Sequence, residues 1–138
     1  MLENRYNISI WQGSTFGLTV RVTYANSTPQ NITGQSARMQ IRSAYDADPP
    51  EETLTTSNGE IVITDAANGE MQLELTADRT ANIEVDLSTL ASVKLSDTET
   101  VKIPKSKYVY DLELINGTDV RKILYGDVIV YGEVTRNV

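Results

Sequence analysis

The chain has 138 residues and a formal charge of −7, a size that fits one domain with a real core. The acidic balance excludes phosphate-backbone binding, which relies on Lys and Arg displacing counterions, and it disfavours anionic membrane surfaces, so neither nucleic acid nor membrane is an expected partner. Cysteine and histidine are both absent, which excludes disulfides, thiolate chemistry, Zn sites built from those ligands and any imidazole base.

The first residues, MLENRYNISIWQG, hold no basic segment followed by an apolar one, and no window approaches the ~18 apolar residues of a bilayer span. The chain is therefore expected to be made and kept in solution. Residues 5–11 alternate, with Tyr6, Ile8 and Ile10 on one side, and predict a first strand ending at Trp11. After the turn Gln12-Gly13-Ser14, residues 15–24 alternate more strictly. Phe16, Leu18, Val20, Val22 and Tyr24 form one face, the pattern of a half-buried strand. Residues 25–31, small and polar with Pro29, read as a surface loop. In residues 36–43, Ala37, Met39 and Ile41 point inward while Arg38, Gln40 and Arg42 point outward.

Residues 44–59, with two prolines, acids and hydroxyl side chains, read as a long exposed loop. A hairpin follows over residues 60–64 and 70–76, with Ile61 and Ile63 facing Met71, Leu73 and Leu75 across the core. Thr76 is placed to cap a short helix running to about Asn82. Residues 83–106 predict an inserted hairpin, with Val93 and Leu95 against Val101 and Ile103, and Pro104 ends it. Last come two long strands. Tyr108, Tyr110, Leu112 and Leu114 share one face opposite Asp111 and Glu113, then Asn116-Gly117 turns the chain, with Thr118-Asp119 available to lengthen the loop. The return strand spans residues 123–134. Gly126 breaks its alternation as a bulge or a close backbone approach, Val128 and Val130 face one way, and Ile129 and Tyr131 the other. A strand apolar on both faces belongs inside a sheet.

These elements predict an all-β, antiparallel, immunoglobulin-like two-sheet sandwich of about seven to nine strands in one domain, residues 1–138, with a closed barrel as the rival. The expected core is Phe16, Leu18, Val20, Val22, Met39, Ile41, Ile63, Leu73, Leu75, Tyr110, Leu112, Leu114, Val128 and Val130. Burying each aliphatic member contributes roughly 1.5–3 kcal/mol, more than a surface ion pair can.

Chemistry has few footholds here. No histidine activates the many Ser and Thr hydroxyls, and Lys102, Lys105 and Lys107 fit no serine–lysine signature, so no enzymatic activity is expected. Asp111 with Glu113, or Glu84 with Asp86, would share a strand face about 7 Å apart, as glycoside hydrolysis requires of a carboxylate pair. Solvated polar strand faces explain them more simply. Asp46, Asp48, Glu51 and Glu52 offer oxygens but lack EF-hand spacing and its pivotal glycine, so no metal and no cofactor are expected. Trp11, Tyr6 and the tyrosines of the last two strands could form an aromatic platform for protein or sugar, with Tyr125 and Tyr131 the best exposed candidates. Trp11, Tyr45, Asp46, Asp48, Tyr125 and Tyr131 are the candidate partner-binding residues.

Several motifs also resemble a known group. Ile10-Trp11-Gln12-Gly13-Ser14-Thr15-Phe16, the run Ile32-Thr33-Gly34 through Ala37-Arg38-Met39-Gln40-Ile41-Arg42, Tyr108-Val109-Tyr110-Asp111-Leu112-Glu113-Leu114, and Gly126-Asp127-Val128 through Glu133-Val134-Thr135-Arg136 resemble small structural proteins of tailed bacteriophages. The likeness is to the family of the baseplate upper protein's N-terminal domain. Ser14 stands where an acid is usual, and residues 83–106 exceed the usual linker. The resemblance implies a virion component of the tail or baseplate, assembled in the host cytoplasm. It would dock in several copies on other particle proteins through edge strands and the loops at residues 25–31 and 44–59. A capsid decoration or cement protein on the major capsid protein is the alternative, and a carbohydrate-binding attachment module the third reading.

Overall fold

The computed structural model describes residues 4–132. Their strands are β1 (Ile8–Trp11), β2 (Phe16–Arg21), β3 (Ser36–Arg42), β4 (Glu52–Thr55), β5 (Ile61–Asp65), β6 (Glu70–Leu75), β7 (Leu90–Lys94), β8 (Thr100–Asn116) and β9 (Asp119–Tyr131). The helical content is one short helix, α1 (Ala77–Ala81), and a 3-10 turn at Ala66–Asn68. The strands form two sheets: β1-β9-β8-β3-β4, with β7 added to the free end of β8, and β2-β6-β5. The chain is thus all-β, as its alternating segments predict.

Both sheets turn apolar side chains into one cluster. Ile8 and Ile10 of β1, Met39 and Ile41 of β3, Leu54 of β4, Tyr110, Leu112 and Leu114 of β8 and Val128 and Val130 of β9 come from the larger sheet. The smaller supplies Ile61, Met71, Leu73 and Leu75. Registers such as Met39↔Leu112 and Ile61↔Leu73 place these side chains beside one another on the inward face of each sheet. Ile61 and Ile63 therefore lie beside β6 rather than facing it across the core. The loops add Ile32 and Ile83, fully buried singletons in polar stretches. Phe16, Leu18, Val20, Val22 and Ile63, expected in the core, are only partly buried against it, the first three on β2, an edge of the three-stranded sheet.

Several other expectations need correction. The sheet is not wholly antiparallel: β1 runs parallel to β9, with Ile8 opposite Val128 and Trp11 opposite Tyr131. Residues 44–59 are not all loop, since β4 pairs with β3 and buries Leu54 against Met39. Pro104 does not end a hairpin. β8 is continuous through it, and the proline's missing N–H falls where β9 runs out. There Gly132 N–H donates to the Pro104 carbonyl at 2.7 Å, and no reciprocal bond is needed. The hairpin turn is Gly117-Thr118, closed by the Asn116–Asp119 pair, and β9 starts at Asp119 rather than at residue 123. The part of the expected return strand beyond Gly132, with the Glu133–Arg136 motif, lies outside the described residues.

Gly126 marks a close approach and not a bulge; the register shift falls between Leu112 and Glu113. A Cβ at 126 would stand 2.4 Å from the Tyr6 carbonyl oxygen. The bare backbone lets the N-terminal segment come in beside β9, where Tyr6 N–H donates to the Tyr125 carbonyl at 2.8 Å and Asp127 N–H to Asn7 Oδ1 at 3.0 Å. Tyr110, directly opposite Gly126, donates its hydroxyl to the same Tyr6 carbonyl at 2.6 Å.

Helix α1 acts as a strut. Thr76 precedes it but makes no side-chain capping bond. The buried Thr80 holds the helix instead, accepting from Gly13 N–H at 3.1 Å and donating to the Ser14 carbonyl at 2.9 Å. Arg79 reaches across the gap between sheets, donating from Nε to Glu52 Oε1 of β4 at 2.6 Å and from Nη1 to Glu60, just before β5. Both glutamates raise the affinity of the Arg79 guanidinium for its proton, their hydrogen bonds outweighing burial. An edge of one sheet is thereby tied to an edge of the other.

Tyr108 and Tyr110 give the fold a pH limit. Burial, reinforced by Glu51 and Glu84, pushes the Tyr108 hydroxyl to about 12. Burial and then Tyr6 push that of Tyr110 to about 12. In the unfolded chain tyrosine titrates near ~10. A folded value above the unfolded one means stability is fully present below pH ~10 and is lost as pH rises toward about 12. Denaturation midpoints are expected to fall across that window, and Tyr108→Phe with Tyr110→Phe should flatten the fall. The double variant should be weaker at neutral pH by about 1 kcal/mol per lost hydroxyl bond. An equally steep alkaline loss in the double variant would contradict this assignment.

Candidate functional site

Strand alternation in the larger sheet leaves one broad face that the core does not use. β1 turns Trp11 outward, β3 Arg38, Gln40 and Arg42, β8 Lys105, Lys107, Val109, Asp111 and Glu113, and β9 Tyr125, Asp127, Ile129 and Tyr131. Among the described residues no strand or helix lies over this face.

At one corner Trp11 stacks on Tyr131, ring centroids 4.5 Å apart and planes inclined by 22°. Parallel pairing of β1 with β9 sets these residues side by side. Trp11 remains 49% exposed, so the stack is a surface feature and not part of the core. Along β9, the Arg5 guanidinium sits over the Tyr125 ring, 5.7 Å from its centroid, and pairs with Asp127 at 3.1 Å. Lys107 also reaches Asp127, at 3.6 Å. Toward β3 the face dips into a depression of ≈ 240 Å³ whose lining includes Gln40, Arg42, Tyr45, Asp111 and Tyr125.

The candidate residues thus fall into two groups. Trp11, Tyr131, Tyr125 and Tyr45 are brought to one face, Trp11 and Tyr131 at its corner, Tyr125 and Tyr45 around the depression. Asp46 and Asp48 lie on the exposed loop after β3, and Asp48 pairs with Arg42 at 2.5 Å. Tyr108 and Tyr110 leave the platform altogether, buried on the inward face with hydroxyls bound to the Glu84 and Tyr6 carbonyls. Tyr6 is exposed but is not in the stack.

Three of the four paired carboxylates are engaged in ion pairs or a turn, and Glu84 is held through its backbone. Asp111 meets Lys122 at 3.3 Å and Glu113 meets Arg38 at 2.6 Å. Asp86 accepts from the Ser88 hydroxyl and N–H and from Thr89, and the Ser88 bonds hold its carboxyl below the usual range. Asp46, Asp48, Glu51 and Glu52 do not converge: Glu51 accepts from Glu84 N–H, and Glu52 is taken by Arg79. Among the described residues no group of three or more acids is placed to hold a metal ion.

Arg5 and Arg42 were missed by sequence reasoning. Arg5 stands just before the first alternating apolar residue, Tyr6, and joins the site through a parallel pairing that periodicity does not encode. Arg42 lies in the outward register of its strand and just before a legible loop, but the pattern does not show that it anchors that loop at Ala47 and Asp48. Neither a protein-family model nor a curated protein matches this sequence.

Proposed function

We propose that this protein is a structural component of a tailed-phage virion, located in the tail or baseplate. In that reading it is an immunoglobulin-like two-sheet module, present in several copies, that docks on neighbouring particle proteins through the outer face of its larger sheet. The observation that carries the docking role is the half-exposed Trp11–Tyr131 stack beside the Arg5–Tyr125 pair. Trp, Tyr and Arg are the residues enriched at the energetic centres of protein interfaces, where rigid rings give large contact area for little lost entropy. The surrounding ion pairs fit a polar rim, worth little energy individually and useful for orientation. The resemblance of the Trp11, Arg38–Arg42 and Tyr108–Leu114 motifs to phage structural proteins supports the particle context.

The test is incorporation into particles. Tagged wild-type chain is expected on tails or baseplates by labelled electron microscopy. Trp11→Ala with Tyr131→Ala should cut affinity for the docking neighbour by about 30-fold or more, since truncating such centres costs at least about 2 kcal/mol. Far-ultraviolet circular dichroism should stay unchanged. Label confined to heads would replace the tail assignment with capsid decoration. Undiminished incorporation of the double variant would remove the docking face.

A further inference from the structure

The ribbon made by β7 and the first residues of β8 has no support from the core. β8 is the strand β7 lies against, and an isolated two-stranded ribbon is marginal in water. Its register sets Ala91 opposite Ile103 and Val93 opposite Val101, with Leu95 next in the alternation. One face therefore carries an apolar stripe of five side chains, with Glu99 and Lys105 at its two ends, and none of the five belongs to the core cluster or packs against it. The exposed leucines of the described residues are all here: Leu87 at 73%, Leu90 at 50% and Leu95 at 66%. The outer edge is open too. Lys105 N–H bonds to the Thr89 carbonyl and Leu95 N–H to the Glu99 carbonyl, so the alternate main-chain groups of Leu90, Ser92 and Lys94 point away from β8.

Charge identifies what such a ribbon fits. Residues 87–107 hold four of the chain's five lysines, and against Asp97 and Glu99 these make the segment +2, leaving −9 on the rest of a chain whose formal charge is −7. Lys102 and Lys105 form no ion pair among the described residues. A basic, apolar-faced arm on an acidic body is complementary to a second copy of itself. The body also offers a receiving surface. On the outer face of the smaller sheet, Gly17 beside Thr19, Gln72 and Glu74 leaves a groove of ≈ 250 Å³. Glu74 there has no ionic partner among the described residues, and Val62 of the same sheet is 51% exposed.

We propose that the β7–β8 ribbon is an assembly arm that lies on the outer face of the smaller sheet of a second copy of this chain. The apolar stripe is covered there, and Lys105, which shares its face, meets Glu74 of the acceptor. The arm adjoins the aromatic corner, because Lys105 lies opposite Tyr131, but the two readings are tested by different substitutions, so the failure of one leaves the other standing.

Three chains decide it: wild type, Leu95→Ser with Val101→Ser, and a trimmed chain in which residues 91–102 are replaced by an Asn-Gly turn. Light-scattering mass is expected to show wild type associating with concentration, less so at high salt. Both altered chains should stay monomeric, the double serine variant with unchanged circular dichroism and the trimmed chain with an unfolding transition as cooperative as that of wild type. Immobilised wild type should capture the trimmed chain, whose body is intact, and Glu74→Lys in that trimmed chain should weaken capture about tenfold. A wild type that is monomeric at millimolar concentration overturns the arm. Wild type that self-associates yet cannot capture the trimmed chain overturns its seat on the body, because arms would then be binding arms.

Discussion

Gly126→Ala is expected to detach the N-terminal segment from the larger sheet. The added Cβ would lie 2.4 Å from the Tyr6 carbonyl oxygen and 2.9 Å from Asn7 Oδ1. The first of these is backbone, so relief requires the strand itself to move. Movement breaks the Tyr110–Tyr6 and Asp127–Asn7 bonds and uncovers Ile8 and Ile10, both in the core. Two such side chains are worth roughly 3–6 kcal/mol of burial, a large part of the stability of an ordinary domain. Denaturant titration should show that loss, and tryptophan emission should shift to the red as Trp11 leaves Tyr131. Gly117→Ala is the control. Gly117 has a positive φ of 62° but open space around it, so only about 1 kcal/mol should be lost. Equal effects at the two glycines would mean that the close approach at 126 is not tight.

Leu112→Asp should abolish soluble expression. Leu112 is fully buried at the centre of the larger sheet, between Met39 of β3 and Leu124 of β9. A carboxylate there loses its water and finds no cation, a penalty beyond the ~4–5 kcal/mol that marks exceptional substitutions. One residue earlier the expectation reverses. Asp111 faces outward and pairs with the half-exposed Lys122, so Asp111→Asn should cost less than about 1 kcal/mol. The contrast between adjacent positions measures the register of β8, and a soluble, cooperative Leu112→Asp would place the wrong face inside.

What could be read from the residues alone follows the length of each alternating run. β3, β6 and the β8–β9 pair carry three or more apolar residues in register, and their inward faces follow directly from that period. β4 does not: in Glu52-Thr53-Leu54-Thr55 a single leucine carries the burial, and no period can be seen in one residue. Ile32 and Ile83 escaped for the same reason. β2 erred the other way. Its alternation is strict, yet nothing in it announces an edge of a three-stranded sheet, so its side chains are half-covered rather than enclosed. Pro104 misled because a strand tolerates proline where its neighbour ends, and that depends on where Gly132 lies. At the candidate surface, alternation separated Tyr125 and Tyr131 from Val128 and Val130. The Trp11 stack needed the parallel partner of β1, a long-range pairing that local pattern leaves undetermined.

The distribution of strands along the chain also governs its birth. All three strands of the smaller sheet and the β3–β4 pair lie within residues 16–75, whereas the other edge of β3 waits for β8, and β1 for β9. On the ribosome the first sheet can pair once Leu75 emerges, but Met71 and Leu73 have only the short β3–β4 pair to rest against until translation reaches the closing strands. At ordinary elongation rates that interval is roughly several seconds. For that time a sticky half-molecule hangs from the exit tunnel, open to chaperones and to sister chains on the same polysome.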